Sequence, residues 1–234
     1  MQLFYNSELD STLKTFTFSK DESRHIVKVL RKSTGDLLQI TNGKGWLFEA
    51  EIVIPNHNKC VVNILNSAFK APKSYAINLA VAPTKMNERY EWFLEKATEI
   101  GADRIIPIIC QNSERKVIKT ERFEKILQSA MKQSLHSYLP ELAPAISFSE
   151  FIKAPQEGLS FIAHCEAVEK LKFKDQIKPG TSITILIGPE GDFSPSEIES
   201  ALKHHYIPVS LGTSRLRTET AGIVACHTIQ LCNE

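Results

Sequence analysis

The sequence predicts an α/β protein in two parts: a small β-rich module over residues 1–70, then a mostly parallel sheet with helices over residues 72–234. Three observations predict it. Short alternating apolar runs crowd the first 70 positions. After Ala71-Pro72-Lys73-Ser74 the pattern changes to nearly continuous apolar strands separated by helical repeats. Two of the later strands run straight into glycine-bearing loops, each of which opens a helix.

With 234 residues, 42% hydrophobic and 24% charged, the chain has the composition of a soluble globular protein with one or two cores, and two are expected. No apolar run approaches the roughly 20 residues needed to span a bilayer. Met1 to Asp10 lacks the basic and apolar regions of a signal peptide, so a cytosolic protein is expected. Five scattered cysteines without a C-x-x-C pair argue against a disulfide framework and a zinc ribbon. Cys226, His227 and Cys232 lie in a helical apolar pattern with no second ligand pair, so no metal is expected. The net charge of +1 is uneven: residues 1–74 carry 10 Lys+Arg against 7 Asp+Glu, the remainder 18 against 20. The first part is the expected phosphate-facing one, although the count alone fits a chance spread of surface charge equally well.

Leu13 to Phe18 alternates as a strand, and Ser19-Lys20-Asp21-Glu22 resembles a capping box. It opens a helix that carries Arg24, Lys28, Arg31 and Lys32 among apolar residues, with Gly35 as the expected stop. Leu37–Thr41 and Trp46–Ile54 read as a hairpin through Asn42-Gly43-Lys44-Gly45, and Cys60–Leu65 as a further strand. So many short strands suggest a small barrel. In the second part Ile77–Ala82, Ile105–Cys110, Ser160–Cys165 and Ile183–Ile187 are the strands. Glu88–Ile100, Glu121–His136, Ser194–His205 and Glu219–Cys232 are the helices.

The chemistry concentrates in two stretches. In the first, the strand Ile183–Ile187 enters Gly188-Pro189-Glu190-Gly191-Asp192-Phe193, and a helix follows with Ser194 as N-cap, Pro195 at N1 and Glu197 at N3. This is the carboxyl end of a central strand, where open α/β sheets bind ligands. Spacing alone leaves open whether the glycines admit a ligand or only serve the turn. No Walker motif or G-x-G-x-x-G is present, and Asp192 would repel a phosphate. In the second, Val209-Ser210-Leu211-Gly212 ends a short strand and leads through Thr213-Ser214-Arg215-Leu216-Arg217 to a helix opening near Thr218, with Glu219 in its first turn. Two arginines ahead of a helix N-terminus oppose its dipole, which suggests an anionic ligand or RNA; solvated surface arginines remain the alternative.

Together the order Gly-Pro-Glu-Gly, Leu-Gly and Leu-Arg-Thr-Glu-Thr-Ala resembles the C-terminal signature of SPOUT-class RNA methyltransferases, most closely the RsmE family, which methylates N3 of a uridine in 16S ribosomal RNA. Ala82-Pro83-Thr84-Lys85, Glu95 to Gly101, Ile105-Ile106-Pro107 and Gln133-Ser134 resemble the family's central stretch. Arg24-His25, Val29-Leu30-Arg31 and Gly35-Asp36 resemble its N-terminal module, so the resemblance covers nearly the whole chain. Two departures stand out. Leu135-His136-Ser137 follows Gln133-Ser134 where the family has a small residue and an arginine, and Asp192 stands where it often has a further glycine.

The resemblance implies a PUA-like RNA-binding barrel over residues 1–70 and a SPOUT-like, trefoil-knotted methyltransferase domain over residues 72–234. It implies S-adenosylmethionine as methyl donor, no metal, a homodimer, and 16S ribosomal RNA or the small ribosomal subunit as partner. The cofactor is expected on Ile187, Gly188, Pro189, Glu190, Gly191, Leu211, Gly212, Leu216, Arg217, Thr218 and Thr220. Arg217 is the expected catalytic side chain, since an arginine stays charged and its planar fork suits the oxygens of a uridine losing its N3 proton. Glu219, with Glu190, is a candidate to take that proton, and Glu219 is equally placed to cap its helix. Arg24, Lys28, Arg31 and Lys85 are expected to meet RNA. A catalytically inactive RNA-binding or ribosome-assembly protein of the same fold is the alternative reading.

Overall fold

Alternation in the first part folds into one sheet in the computed structural model, which describes residues 2–166 and 169–234. Its elements are β1 (Leu3–Tyr5), β2 (Thr15–Thr17), helix α1 (Lys20–Arg24), β3 (Leu37–Thr41), β4 (Trp46–Ile54) and β5 (Val61–Phe69). The strand order is β1-β3-β4-β5-β2. β1 runs parallel to β3 and the other pairs are antiparallel. Phe48, Ala50 and Ile52 of β4 turn inward while Glu49 stays exposed. They join Phe4, Phe18, Ile26, Leu38, Ile40 and Val62 in a core of their own.

Ser19 caps α1 by accepting the Glu22 N–H at 3.4 Å. The helix then widens into a π-turn over His25–Val29. Contrary to the expectation for Gly35, the helical path ends earlier, at Arg31, which adopts φ 55. Lys32 N closes on Ile26 O at 3.1 Å, so the wide turn terminates itself before a glycine is needed. Gly35 (φ 89) instead shapes the entry to β3.

The β3–β4 hairpin uses Gly43 (φ 71) and Gly45 (φ 93) as its sequence indicates. Gly45 has a second reason to be glycine: a Cβ there would lie 2.3 Å from the Tyr138 hydroxyl. Tyr138 belongs to Met131–Leu139, which forms one compact unit with the residues up to Pro72. Lys44 bridges Tyr138, Leu139 N donates to Gly43 O at 3.0 Å, and Tyr138 Oη donates to Lys70 O at 2.7 Å.

The second unit comprises Lys73–Ala130 and Pro140–Glu234. In chain order it contains β6 (Ile77–Val81), α2 (Asn87–Ile100), β7 (Arg104–Ile109), most of α3 (Thr120–Gln133), β8 (Glu141–Leu142), β9 (Ile146–Ser147) and α4 (Phe148–Phe151). There follow β10 (Leu159–Ala163), β11 (Leu171–Lys172), β12 (Ile183–Ile187), α5 (Pro195–Lys203), β13 (Ile207–Ser210) and α6 (Thr218–Leu231). The sheet order is β11-β13-β10-β12-β6-β7-β8, with β9 beside β7, and every pair is parallel. All five residues of β12 are buried, as a strand covered on both faces requires. Ala80, Ile106, Ile162 and Leu186 pack with Phe148, Phe151, Ile198 and Ala201 of α4 and α5. α6 packs against β6, β12 and α2. At Gly222 it comes so close to Phe93 that a Cβ would lie 2.6 Å from the ring.

This is the SPOUT-like architecture that the resemblance implies. After β13, which lies outside β10 in the sheet, the chain returns through Leu211–Arg217 to run α6 along the central strands β6 and β12. That return is where the resemblance places the knot.

Candidate cofactor and active site

Parallel register sets the floor of the site. Ala163 of β10 pairs with Ile187 of β12 and with Val209 of β13, so three strands end level and release their loops on one side of the sheet.

The loop after β12 is tied to its neighbours at almost every residue. Gly188 O accepts the Thr218 hydroxyl at 2.9 Å, which fixes it to the first residue of α6. A Cβ on Gly188 would stand 3.1 Å from the Phe193 ring. Glu190 Oε1 accepts Lys85 N at 2.9 Å, and Asn112 Nδ2 donates to Gly191 O and Asp192 O at 3.2 and 3.1 Å. Asp192 adopts φ 62, the region a glycine would occupy and one that aspartate tolerates better than most residues. The loop closes in the capping box read from sequence: Glu197 N donates to Ser194 Oγ at 3.3 Å and Ser194 N to Glu197 Oε2 at 2.9 Å. Glu197 Oε1 also accepts Gln111 N at 2.8 Å.

The loop after β13 is more open. Ser210 Oγ donates to Gly212 O at 2.9 Å, and nothing lies within 4 Å of a Cβ built on Gly212. Arg217 holds the N-cap position of α6 with no side-chain cap bond, and it is exposed.

Two adjoining cavities lie between these loops. One of about 430 Å³ is lined by Leu211, Gly212 and Leu216 with Ala163, His164, Cys165 and Lys170. The other, of about 260 Å³, is lined by Ile187, Gly188, Pro189, Glu190, Leu216, Arg217 and Thr218 with Asp192. The structure thus brings together nine of the residues singled out from sequence. Gly191, Glu219 and Thr220 are not on either wall. Gly191 is exposed and turns toward Asn112. Glu219 is 5% exposed, with Oε1 3.9 Å from Arg89 Nε.

Sequence reasoning missed Ala163, His164, Cys165 and Lys170. The signal was available in part, since Ser160–Cys165 reads as a parallel strand and its carboxyl end has to face the same side as the two glycine loops. His164 is 7% exposed with both ring nitrogens unpartnered among the described residues. Burial, aided by the Lys170 charge, lowers its pKa from the usual 6.5, so the ring is neutral at neutral pH.

Arg24, Lys28 and Arg31 are exposed on α1 and the turns that follow it. Lys85 is exposed on the second unit with its ammonium 2.8 Å from Glu114, which raises its pKa. α3 ends at Gln133, short of the expected His136, which lies beyond the helix and is half-buried in the first unit. Among the described residues no cluster of three or more His, Cys, Asp or Glu could hold a metal.

Comparisons with known proteins identify the family. The RNA methyltransferase domain family matches residues 71–230, and the RNA methyltransferase PUA domain family matches residues 18–65. Ribosomal RNA small subunit methyltransferase E of Buchnera aphidicola subsp. Acyrthosiphon pisum is 31% identical over 238 residues, which is 98% of this chain and 92% of that protein. The protein of that name in Bacillus subtilis is 26% identical over 94% of this chain and 91% of its own. Among solved structures, a probable rRNA-methyltransferase from Porphyromonas gingivalis superposes with a TM-score of 0.90 at 44% identity, covering 99% of both chains. A ribosomal RNA small subunit methyltransferase E from Neisseria gonorrhoeae, bound to S-adenosyl methionine, gives 0.86 at 27% identity over 100% and 98% of the two chains. Since the methyltransferase match spans all three loop-bearing strands and the Buchnera relative is aligned almost end to end, this chain belongs to the RsmE family of RNA methyltransferases.

Proposed function

We propose that the protein transfers a methyl group from S-adenosylmethionine to N3 of a specific uridine in 16S ribosomal RNA. The observation that carries this reading is the pair of adjoining cavities at the level ends of β10, β12 and β13, in a chain whose solved relatives include methyltransferases holding S-adenosylmethionine. The residues present fit that cofactor. Gly188 is buried on the wall of the smaller cavity with Phe193 close behind it, and Leu211 and Leu216 offer apolar faces for a purine. The backbone from Val209 to Leu216 offers donors and acceptors to its edge.

When bound, S-adenosylmethionine supplies a methyl group already activated on a sulfonium, so the protein has chiefly to align donor and acceptor. Such alignment is worth roughly 7 to 11 kcal/mol. Arg217, exposed on the wall of the smaller cavity, is a permanent cation available to stabilise the anion of a deprotonated uridine. Of the two carboxylates, Glu190 is exposed on the cavity wall and is the one placed to receive a proton. Glu219, buried toward Arg89, serves the N-terminus of α6. Uridine N3 is hidden in a duplex, so the target base must be unpaired or flipped out.

In this reading residues 1–70 hold the RNA and residues 72–234 perform the transfer, in the cytosol and as a homodimer. Support for the first part comes from the exposed Arg24, Lys28 and Arg31 and from the PUA match over residues 18–65. Nucleoside mass spectrometry of 16S RNA from cells with and without the gene tests the activity. The methylated uridine should disappear with the gene; unchanged modification in its absence would overturn the assignment.

A further inference from the structure

Asp192 stands where the resemblance often has a further glycine, and its side chain makes bonds that glycine could not. Both carboxylate oxygens accept backbone N–H groups: Oδ1 from Phe193 at 2.9 Å and Oδ2 from Cys165 at 2.7 Å. The first bond is local. The second crosses from the loop after β12 to the segment that leaves β10. Cys165 lines both cavities, His164 lines the larger, and Asp192 lines the smaller. Lys170 holds the same segment, with Nζ donating to His164 O at 2.8 Å and to Glu166 O at 2.6 Å. The Asp192 main chain is fixed in turn by Asn112 at 3.1 Å.

We infer that Asp192 is a positioning residue for the cofactor site, its carboxylate holding the His164–Cys165 wall in the conformation that the bound cofactor needs. The inference rests on the cofactor reading above. A hydrogen bond to an ionised carboxylate is about twice as strong as a neutral one. A wall fixed before binding spares the ligand the cost of ordering it. Glycine would adopt φ 62 freely and leave Cys165 N without this acceptor, so the loop would keep its shape and lose its tether.

The test uses the full-length protein with Asp192→Gly and Asp192→Asn. Asparagine keeps the backbone tolerance but offers one acceptor oxygen where two N–H groups need one. Cofactor dissociation constants are measured by calorimetry. Alkylation of Cys165 is followed by peptide mass spectrometry with and without S-adenosylmethionine, Cys165 being the exposed cysteine of the five. Asp192→Gly should weaken cofactor binding about tenfold. It should speed alkylation of Cys165 in the absence of cofactor, and saturating cofactor should restore most of the protection. Asp192→Asn should fall between it and the wild type. Unchanged affinity together with unchanged alkylation in Asp192→Gly would overturn the inference, as would a loss of melting temperature with no change in affinity. Wild-type protein that binds no S-adenosylmethionine would overturn the cofactor reading and the inference together, and that result is visible before any variant is made.

Discussion

Arg217 is the residue we propose for stabilising the uridine anion, and its helix makes no use of its side chain as a cap. It takes the N-cap position of α6 and stands exposed on the wall of the smaller cavity. Arg217→Ala should lower the single-turnover methylation rate by roughly 100-fold or more while cofactor affinity changes little. Arg217→Lys should restore only part, because a point charge cannot span two oxygens. Rapid-quench assays at saturating cofactor read both. Gly188 and Gly191 look equivalent in the sequence but are not so in the fold. Gly188→Val would press on Phe193 and disturb a residue of the smaller cavity's wall, whereas Gly191→Val would meet Asn112 at a residue on neither wall. Calorimetry should show a loss of cofactor affinity of about an order of magnitude for the first and a smaller one for the second. His164 supplies a pH prediction. Its folded pKa lies below the unfolded value of 6.5, so the unfolded chain binds the proton first as the solution is acidified. Its contribution is full above pH 6.5 and is lost as the pH falls below that value. Melting temperatures should therefore drop on going from about pH 7.5 to about pH 5.5, and His164→Phe should flatten that drop.

Among the elements, α5 shows how one sequence motif serves two purposes. Its capping box was legible because Ser194 and Glu197 are local to each other. Glu197 also accepts Gln111 N from the segment after β7, and no local pattern announces that bond. Ser194→Ala should cost about 1 kcal/mol. Glu197→Ala should cost more, because it frees two backbone N–H groups from different segments. Urea denaturation of the two variants ranks them, and equal costs would mean that the Gln111 bond contributes nothing. The helix at Lys20–Val29 shows the opposite case. Gly35 is the expected stop by composition, but the chain ends the helix by widening it, and Arg31 takes the left-handed turn.

At the scale of the whole molecule, the uneven charge motivates a test of the first part as the RNA-holding one. The triple variant Arg24→Ala, Lys28→Ala, Arg31→Ala should weaken RNA binding and reduce its salt dependence by about one unit of slope for each phosphate no longer neutralised, with cofactor affinity unaltered. A salt slope equal to that of the wild type would send the RNA surface elsewhere. α6 buries Ala225 and Ile229, but leaves Leu231 60% exposed near the chain's end. That exposed leucine and the resemblance support the homodimer we propose. Light scattering at micromolar concentration should give twice the chain mass, and a monomer mass would contradict it.

The sequence by itself determined the class of the fold, most of the longer elements, and the two loops that line the cavities. Each of these depends on neighbours a few residues apart: Ile183–Ile187 as a doubly covered strand, Asn42–Gly45 as a hairpin turn, Ser194 and Glu197 as a cap. Three-residue strands such as β1 and β2 are too short to show a period of two, so β1 leaves no pattern to read and β2 is shorter than its alternating run suggests. Only the tertiary structure decided which side chains share the site. The register of three parallel strands, separated along the chain by intervening segments, brings His164, Cys165 and Lys170 to the cavities. The same packing turns Glu219 inward to Arg89 and commits one oxygen of Glu190 to Lys85 N. Asp192 stands between the two levels. Its tolerance of a positive φ could be read from the residue type, but the partner of its carboxylate, 27 residues away at Cys165, exists only because β10 and β12 lie side by side.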